Sequence, residues 1–444
     1  MDKHSAGKEF ARYASLNMLG MLGISCYILA DTFFISRATG AQGLAALNLA
    51  LPVYSLIHGL GLMLGMGGGI RYSIGRGQGD RQSGDGAFTQ ALCLALFLGV
   101  LFSLTGLMFA RPLAQALGAQ GKVLEMSSSY LRVLMVFAPA FMLNDVFTCF
   151  VRNDGDPRRA MAAMLGGSLS NIVLDYIFIF PCGLGMFGAA LATGAAPLIG
   201  IAILSPHWLS KKSGFRFCWR EGKRAPLLQM VLLGIPSLVP EISSGVVIAV
   251  FNTILLSLQG DVAVAAYGVV ANLSLVAVAV LTGLSQGMQP ILSRAYGAQD
   301  KENLRHVLFL GLVWSLAAAL LMEAVLTLGA QPLTAVFNSE GNALLQQMAS
   351  FGLRLYFIAL AFVSINTVAA TYFAATQRAM PAHVISLSRG LVLIVPIAFL
   401  LSKLWDLTGV WLTFPVTEGL VALFSVTLLW KNRSKLKNSQ TNLL

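Results

Sequence analysis

The stretch Ala45 to Asp80, AALNLALPVYSLIHGLGLMLGMGGGIRYSIGRGQGD, has a counterpart 220 residues further on, Ala265 to Asp300, AAYGVVANLSLVAVAVLTGLSQGMQPILSRAYGAQD. Ala46 meets Ala266, Gly67 meets Gly287, Ser73 meets Ser293, Gly77 meets Gly297, and the closing aspartates coincide. A second pairing sets Gly188 to Thr193 (GAALAT) against Gly409 to Phe414 (GVWLTF). The paired stretches are apolar runs long enough for a helix to cross about 30 Å of hydrocarbon. The chain therefore reads as a duplicated membrane unit.

Composition agrees. Of 444 residues, 56% are hydrophobic and 11% charged, and the mean hydropathy is +0.74; an ordinary soluble domain carries about 25% charged residues. Apolar segments recur from end to end and leave no room for a soluble domain. The spacing predicts twelve spans, at 11–35, 43–68, 86–110, 123–150, 159–181, 185–206, 225–257, 262–290, 303–328, 343–375, 379–402 and 407–430. The fold class is an all-α polytopic membrane protein with twelve transmembrane helices in two similar six-helix bundles. Its expected organisation is a first bundle at 1–206, a cytoplasmic linker at 207–224, a second bundle at 225–431 and a tail at 432–444. Six is even, so the two copies share one orientation, an architecture that suits alternating access. The N-terminal region has no signal-peptide order of basic, short apolar and small-residue segments, so the first span is expected to be retained.

A net charge of +11 raises the question of nucleic acid, but topology explains it better. With both termini cytoplasmic, 23 of the 30 lysines and arginines fall inside, four (Arg37, Arg111, Lys122, Lys403) outside, and Arg132, Arg354 and Arg389 within spans. This is the positive-inside bias, with a basic face toward anionic lipid. The expected location is the bacterial cytoplasmic membrane, with membrane lipids and small organic molecules as partners, no nucleic acid, and a monomeric protein. Five scattered cysteines include no CxxC pair and indicate neither a disulfide framework nor a zinc site. Gly283 to Gly287 (GLSQG) fits a hydrolase elbow and Gly183 to Gly188 a dinucleotide fingerprint, but one lies within a span and the other in a short turn, without the strand contexts those motifs need. Histidines at 4, 58, 207, 306 and 383 are dispersed. No catalytic residue and no enzyme activity are expected.

The informative residues are acids within spans, where charge is costly and marks function. In LSNIVLDYIFIFP, Leu169 to Pro181, Asp175 is surrounded by apolar side chains. It lies roughly 24 Å along its helix from Arg159, and Asp31 roughly 28 Å along the first helix from Arg12, so both reach the outer half. Asn171 is one turn before Asp175 and Ser168 one turn before that, giving a polar stripe. Thr193, on a helix entering from outside, reaches a comparable depth. Asp31, Asn171, Asp175 and Thr193 therefore converge as a cation-binding site. Two buried carboxylates share a proton, and the same oxygens with the amide and hydroxyl can replace water around Na⁺; hydrogen-bonded packing between helices is the structural alternative.

Aligning Arg378-Ala-Met with Arg159-Ala-Met puts Gly390 at Asn171 and Ile394 at Asp175, so the ion site is expected on one side only. Glu241 follows Pro240, where a broken helix can present it to a substrate cavity or to loosened backbone. Glu418 is placed against the same cavity. Tyr176 and Phe178 line that cavity or pack against lipid. Asp145, near an inner helix end, and Glu323, near an outer one, are expected to reach the interface.

These residues resemble the multidrug and toxic compound extrusion (MATE) family across essentially the whole chain. Its carriers are Ala30 to Ile35 (ADTFFI), Arg152 to Pro157 (RNDGDP), Asn171 to Asp175 (NIVLD), Gly188 to Thr193 and Gln286 to Pro290 (QGMQP). The resemblance implies a secondary antiporter exporting amphipathic, often cationic organic compounds in exchange for inward Na⁺ or H⁺, with no cofactor beyond that ion. By position it implies a first-half cation site at Asp31, Asn171, Asp175 and Thr193. Some members add acids on helices 7 and 10; here helix 7 offers Glu241, but Ser350 to Phe373 contains no acid. The rival of related architecture is a flippase for a lipid-linked saccharide or lipid, which calls for a strongly basic central cavity.

Overall fold

The computed structural model describes residues 3–210, 213–218, 227–338 and 341–441, with side chains from 5 to 431 within those ranges. Every regular element among them is helical, and the helices assemble into twelve spans in two six-span halves. Spans 1 and 2 form a helical run, Lys3–Gln78, folded back at Gly40 (φ 64°, ψ −155°). Spans 7 (Leu227–Gln259) and 8 (Asp261–Gly297) meet at Gly260 (φ 69°, ψ −157°), 220 residues later. Only glycine enters that backbone region readily, so the repeat preserves the hinge as well as the helices.

Span 3 is Arg81–Ala116 and span 9 is Lys301–Leu328. The aspartates that close the repeated stretch cap them: Asp80 Oδ1 accepts from Ser83 N and Asp300 Oδ1 from Asn303 N, each at 3.1 Å. Span 4 consists of Gly121–Val136 and Ala138–Asn153, bent by 48°, and span 10 of Ala343–Tyr356 and Ala359–Ala375, bent by 44°. Span 5, Pro157–Ile179, starts with a proline after an Asp156 cap that accepts from Arg159 N at 3.0 Å. Span 6 is Gly185–Trp208. Span 11 begins as Ala379–Leu387, passes through a π-turn at Ser388–Val392 and continues from Ile394. Asp406 (φ 46°) then folds the chain into span 12.

Large apolar side chains such as Phe97 (65% exposed) and Leu321 (67%) face outward, the inverse of a soluble fold and right for lipid. One buried core is built mainly from the first half around Phe88, Leu134 and Phe150, and a second from the last six spans around Leu353, Phe357 and Trp411. A third joins the halves at the end bearing both termini, with Phe10, Ile70 and Ile74 against Leu284, Met288 and Ile291.

Span 7 departs from the sequence reading. It stays helical through Pro236 and Pro240. Pro236 cannot bond the Leu232 carbonyl, which His383 Nε2 reaches from span 11 at 2.5 Å. A donor from span 11 thus meets the carbonyl freed at Pro236, and Glu241 sits on an unbroken helix.

Residues 213–218 of the inter-half segment lie against the first half. Phe215 is fully buried against Phe88 (4.6 Å), Phe150 and Tyr72. Arg216 N bonds Asp85 Oδ1 at 2.8 Å, and Gly214 N bonds Asp154 Oδ2 at 2.8 Å. Asp154 also accepts from Tyr72, Arg76 and His207 Nε2. Burial pushes its carboxyl up, but the bonds from His207, Tyr72 and Gly214 outweigh burial and hold it below the ordinary carboxylate range. Lys211, Lys212 and positions 219–224 of the expected linker lie outside the described residues, as do the side chains of the tail at 432–444.

Candidate functional site

Span 5 carries Asn171 and Asp175 one turn apart, both fully buried, toward spans 1 and 6. Asp31 (7% exposed) reaches Asp175 within hydrogen-bond range of its carboxyl. Asn171 presents its amide nitrogen to Asp175 Oδ2 at 3.0 Å, since its oxygen there would face another acceptor, and its oxygen then accepts from Thr193 N at 3.3 Å. Thr193 Oγ1 donates to Ala189 O at 3.0 Å. The four residues selected by depth and spacing are thus brought together. Ser168 is not: its hydroxyl bonds Met164 O of its own helix at 2.8 Å.

Oδ1 of Asp31 and Oδ1 of Asp175 are buried and have no hydrogen-bond partner among the described residues. Two touching carboxylates in a water-poor site are tolerable only if a proton or cation lies between them. Among the described residues the second half offers no equivalent at the matched positions. Ile394 is buried in its core, and a Cβ at Gly390 would come within 2.5 Å of Ser243 Oγ, so these positions serve packing.

Two further residues belong to the site. Tyr130, in span 4 and 4% exposed, lies beside Thr193 and near both carboxyls. Nothing in its local sequence distinguished it. Tyr27 is one helical turn before Asp31, a spacing that was readable, and its hydroxyl meets that of Tyr54 at 2.5 Å.

Two of the other intramembrane acids, Glu418 and Asp145, are placed differently from their expected positions. Glu418 is 1% exposed and enclosed: Arg389 Nε and Nη2 reach Oε1 at 2.9 and 2.8 Å, and Asn366 Nδ2 reaches Oε2 at 2.7 Å. Its carboxylate is fully engaged within the second half and does not face an open cavity. Asp145 does not reach the interface; it is 7% exposed and bonds His58 Nδ1 through Oδ2 at 3.0 Å. Glu241 is half-buried beside that pair. Tyr176 is 55% exposed, in an aromatic group with Phe34 and Phe180, while Phe178 is half-buried.

At the end bearing the termini a polar seam closes the two halves on each other. Asn17 Nδ2 donates to Gly283 O at 2.8 Å, and Arg152 Nη1 donates to Asn17 Oδ1 at 2.7 Å and Gln286 Oε1 at 3.4 Å. Asn153 and Gln289 bond each other, and Ser73 joins Asn153 at 2.6 Å. Glu9 pairs with Arg294 at 2.5 Å. Glycines matched by the repeat make close approaches across this seam. A Cβ at Gly67 would lie 2.0 Å from Met230 O, and one at Gly287 would lie 2.7 Å from the Ala14 Cα.

Twelve lipid-facing spans in two pseudo-symmetric halves, with a buried carboxylate pair in one half and a closed seam at one end, define a polytopic membrane transporter. The MatE family model matches residues 17–177 and 236–400, and the chain belongs to that family. It is similar to the multidrug export protein MepA of Staphylococcus saprophyticus, 26% identical over 446 residues, covering 100% of this chain and 98% of that protein. The multidrug export protein MepA of Staphylococcus aureus strain MRSA252 is likewise 26% identical over 447 residues, with the same coverage. Among solved structures, an outward-facing conformation of a multidrug resistance MATE family transporter superposes with a TM-score of 0.91 at 25% identity, covering 98% of this chain and 97% of that one. A transporter of the MOP superfamily from Pyrococcus furiosus, described as having a binding pocket of reversed polarity, gives 0.90 at 26% identity over 97% of each chain.

Proposed function

We propose that this protein exports amphipathic organic cations from the cytoplasm in exchange for protons, with Asp31 and Asp175 as the coupling pair and both termini cytoplasmic. The observation that carries the reading is the apposed, buried carboxylate pair with one unpartnered oxygen on each member. A proton fits this donor set better than Na⁺. A shared proton satisfies the two free carboxylate oxygens with no further ligand, whereas a sodium ion would need the Asn171 amide turned with its oxygen toward Asp175. Export as the direction of transport draws on the named function of the staphylococcal relatives. The seam closed at the basic end supports reading this arrangement as open toward the outside.

Coupling follows from exclusion. The substrate-loaded and proton-loaded forms favour different arrangements of the halves, so loading one disfavours the other, and an inward proton gradient ejects substrate. The test is ethidium movement in vesicles containing the purified protein. An imposed pH gradient is expected to drive ethidium uphill, and a sodium gradient alone is not. Uphill movement under sodium alone would assign the pair to Na⁺, and no movement of any organic cation, with lipid-linked saccharide translocated instead, would overturn the export reading.

A further inference from the structure

A second group of titratable side chains lies at the seam between the halves and takes no part in the carboxylate pair. His58 of span 2 donates through Nδ1 to Asp145 of span 4 at 3.0 Å, with side-chain exposures of 18% and 9%. Glu241 approaches from span 7, in the other half. A Cβ at Gly59 would come within 3.1 Å of the Glu241 Cβ, and one at Gly61 within 2.5 Å of Asp145 Oδ2, so span 2 is wedged between the two acid-bearing helices. The Glu241 carboxylate has neither an ion-pair nor a hydrogen-bond partner among the described residues. Thr148, one turn from Asp145 on the same side of span 4 and 8% exposed, has a hydroxyl without a partner.

The charge at this seam is unbalanced. Among the described residues His58 alone pairs with Asp145 and no basic side chain pairs with Glu241, so even a fully protonated imidazole leaves one of two ionised carboxylates uncompensated. The neighbouring surface is aromatic. Tyr54 stacks on the imidazole at 5.8 Å and 10°, and Phe141 meets Tyr54 edge-on at 5.7 Å. Carboxylates beside ring faces are what an aromatic organic cation needs, since charge and π-surface are satisfied together.

We infer that the positive centre of an organic cation is held between Glu241 and Asp145, against Tyr54, at the place His58 now covers, and that His58 is a tethered competitor for that place. The inference rests on the export reading and adds a recognition site to it. Because Asp145 and Glu241 belong to different halves, occupancy bridges the halves and biases their arrangement. When substrate leaves, the imidazole returns to Asp145, so the carboxylate is never left buried without a partner.

The sign of the His58 effect separates this from a packing role. Tetraphenylphosphonium binding to the full chain in lipid nanodiscs is measured for wild type, Glu241→Gln, Asp145→Asn and His58→Gln, with neutral triphenylphosphine oxide as control. Loss of either carboxylate is expected to weaken tetraphenylphosphonium binding about tenfold, the scale of one partly solvated charge–charge attraction, with little effect on the neutral probe. His58→Gln is expected to tighten it several-fold. Where Asp145→Asn alone folds poorly, His58→Gln/Asp145→Asn serves, and must bind more weakly than His58→Gln. His58→Gln weakening binding as much as Asp145→Asn, or Glu241→Gln leaving it unchanged, overturns the inference. Failure of the export reading looks different: wild-type vesicles then move no organic cation, whatever the order of the binding constants.

Discussion

Asp175 and Glu418 are equally hidden from solvent, yet their surroundings give them opposite roles. Glu418 is held by a two-point bond from Arg389 and by Asn366, which leaves neither carboxylate oxygen open. Asp175 meets only another carboxylate and an amide. Breaking the Arg389 pair strands a buried charge, so Arg389→Met is expected to cost about 3–5 kcal/mol, seen as a lower unfolding temperature in detergent, while Arg389→Met/Glu418→Met recovers most of the loss. A single variant as stable as wild type would show the pair to be solvated. The site acids were legible because depth and helical spacing depend on one helix at a time: Asn171 and Asp175 share a face by period, and Tyr27 and Asp31 likewise. His58 with Asp145 and Arg389 with Glu418 were not legible, because each joins helices 87 or 29 residues apart in sequence through packing alone.

Helix ends and contacts follow the repeat closely. The cap aspartates 80 and 300, the hinge glycines 40 and 260, and the bends in spans 4 and 10 recur in both halves. The seam shows the same symmetry: Gly67 approaches Met230 and Gly234 of span 7, and Gly287 approaches Ala14 of span 1, with 14 and 234 again 220 apart. Matching glycines were visible in the sequence, but their use as contacts between halves needed the assembled helices. The break expected at Pro240 is absent, since span 7 stays helical through both prolines, and at Pro236 the carbonyl set free is capped by His383, a bond that no local pattern announces. Gly67→Val drives a side chain into the Met230 carbonyl and is expected to loosen the seam, measured as faster maleimide labelling of a cysteine placed at the buried Ser73 in a cysteine-free background. Gly245→Val, where nothing lies within 4 Å, is the control and should leave labelling unchanged. Equal rates in both would mean that the glycine contacts do not hold this end closed.

At the scale of the molecule, composition and charge placement made the twelve-span membrane architecture legible, whereas the closed end and the docked segment 213–218 emerge only from contacts distant in sequence. The proposed orientation has a direct consequence. In intact cells a cysteine at Gly118, in the turn after span 3, should react with an impermeant maleimide, and one at Gly79, in the turn before it, should react only after permeabilisation. The reverse pattern would invert the topology and with it the direction of transport. The central claim, that Asp175 couples a proton to substrate movement, is tested most directly by comparing wild type with Asp175→Asn in vesicles at equal protein content. Both are expected to exchange ethidium down its own gradient, because the substituted side chain keeps its size and hydrogen bonding. Under an imposed pH gradient wild type should accumulate ethidium, while the variant should equilibrate at a ratio of about one, since no titratable pair remains. Accumulation by Asp175→Asn to the wild-type level would contradict the account.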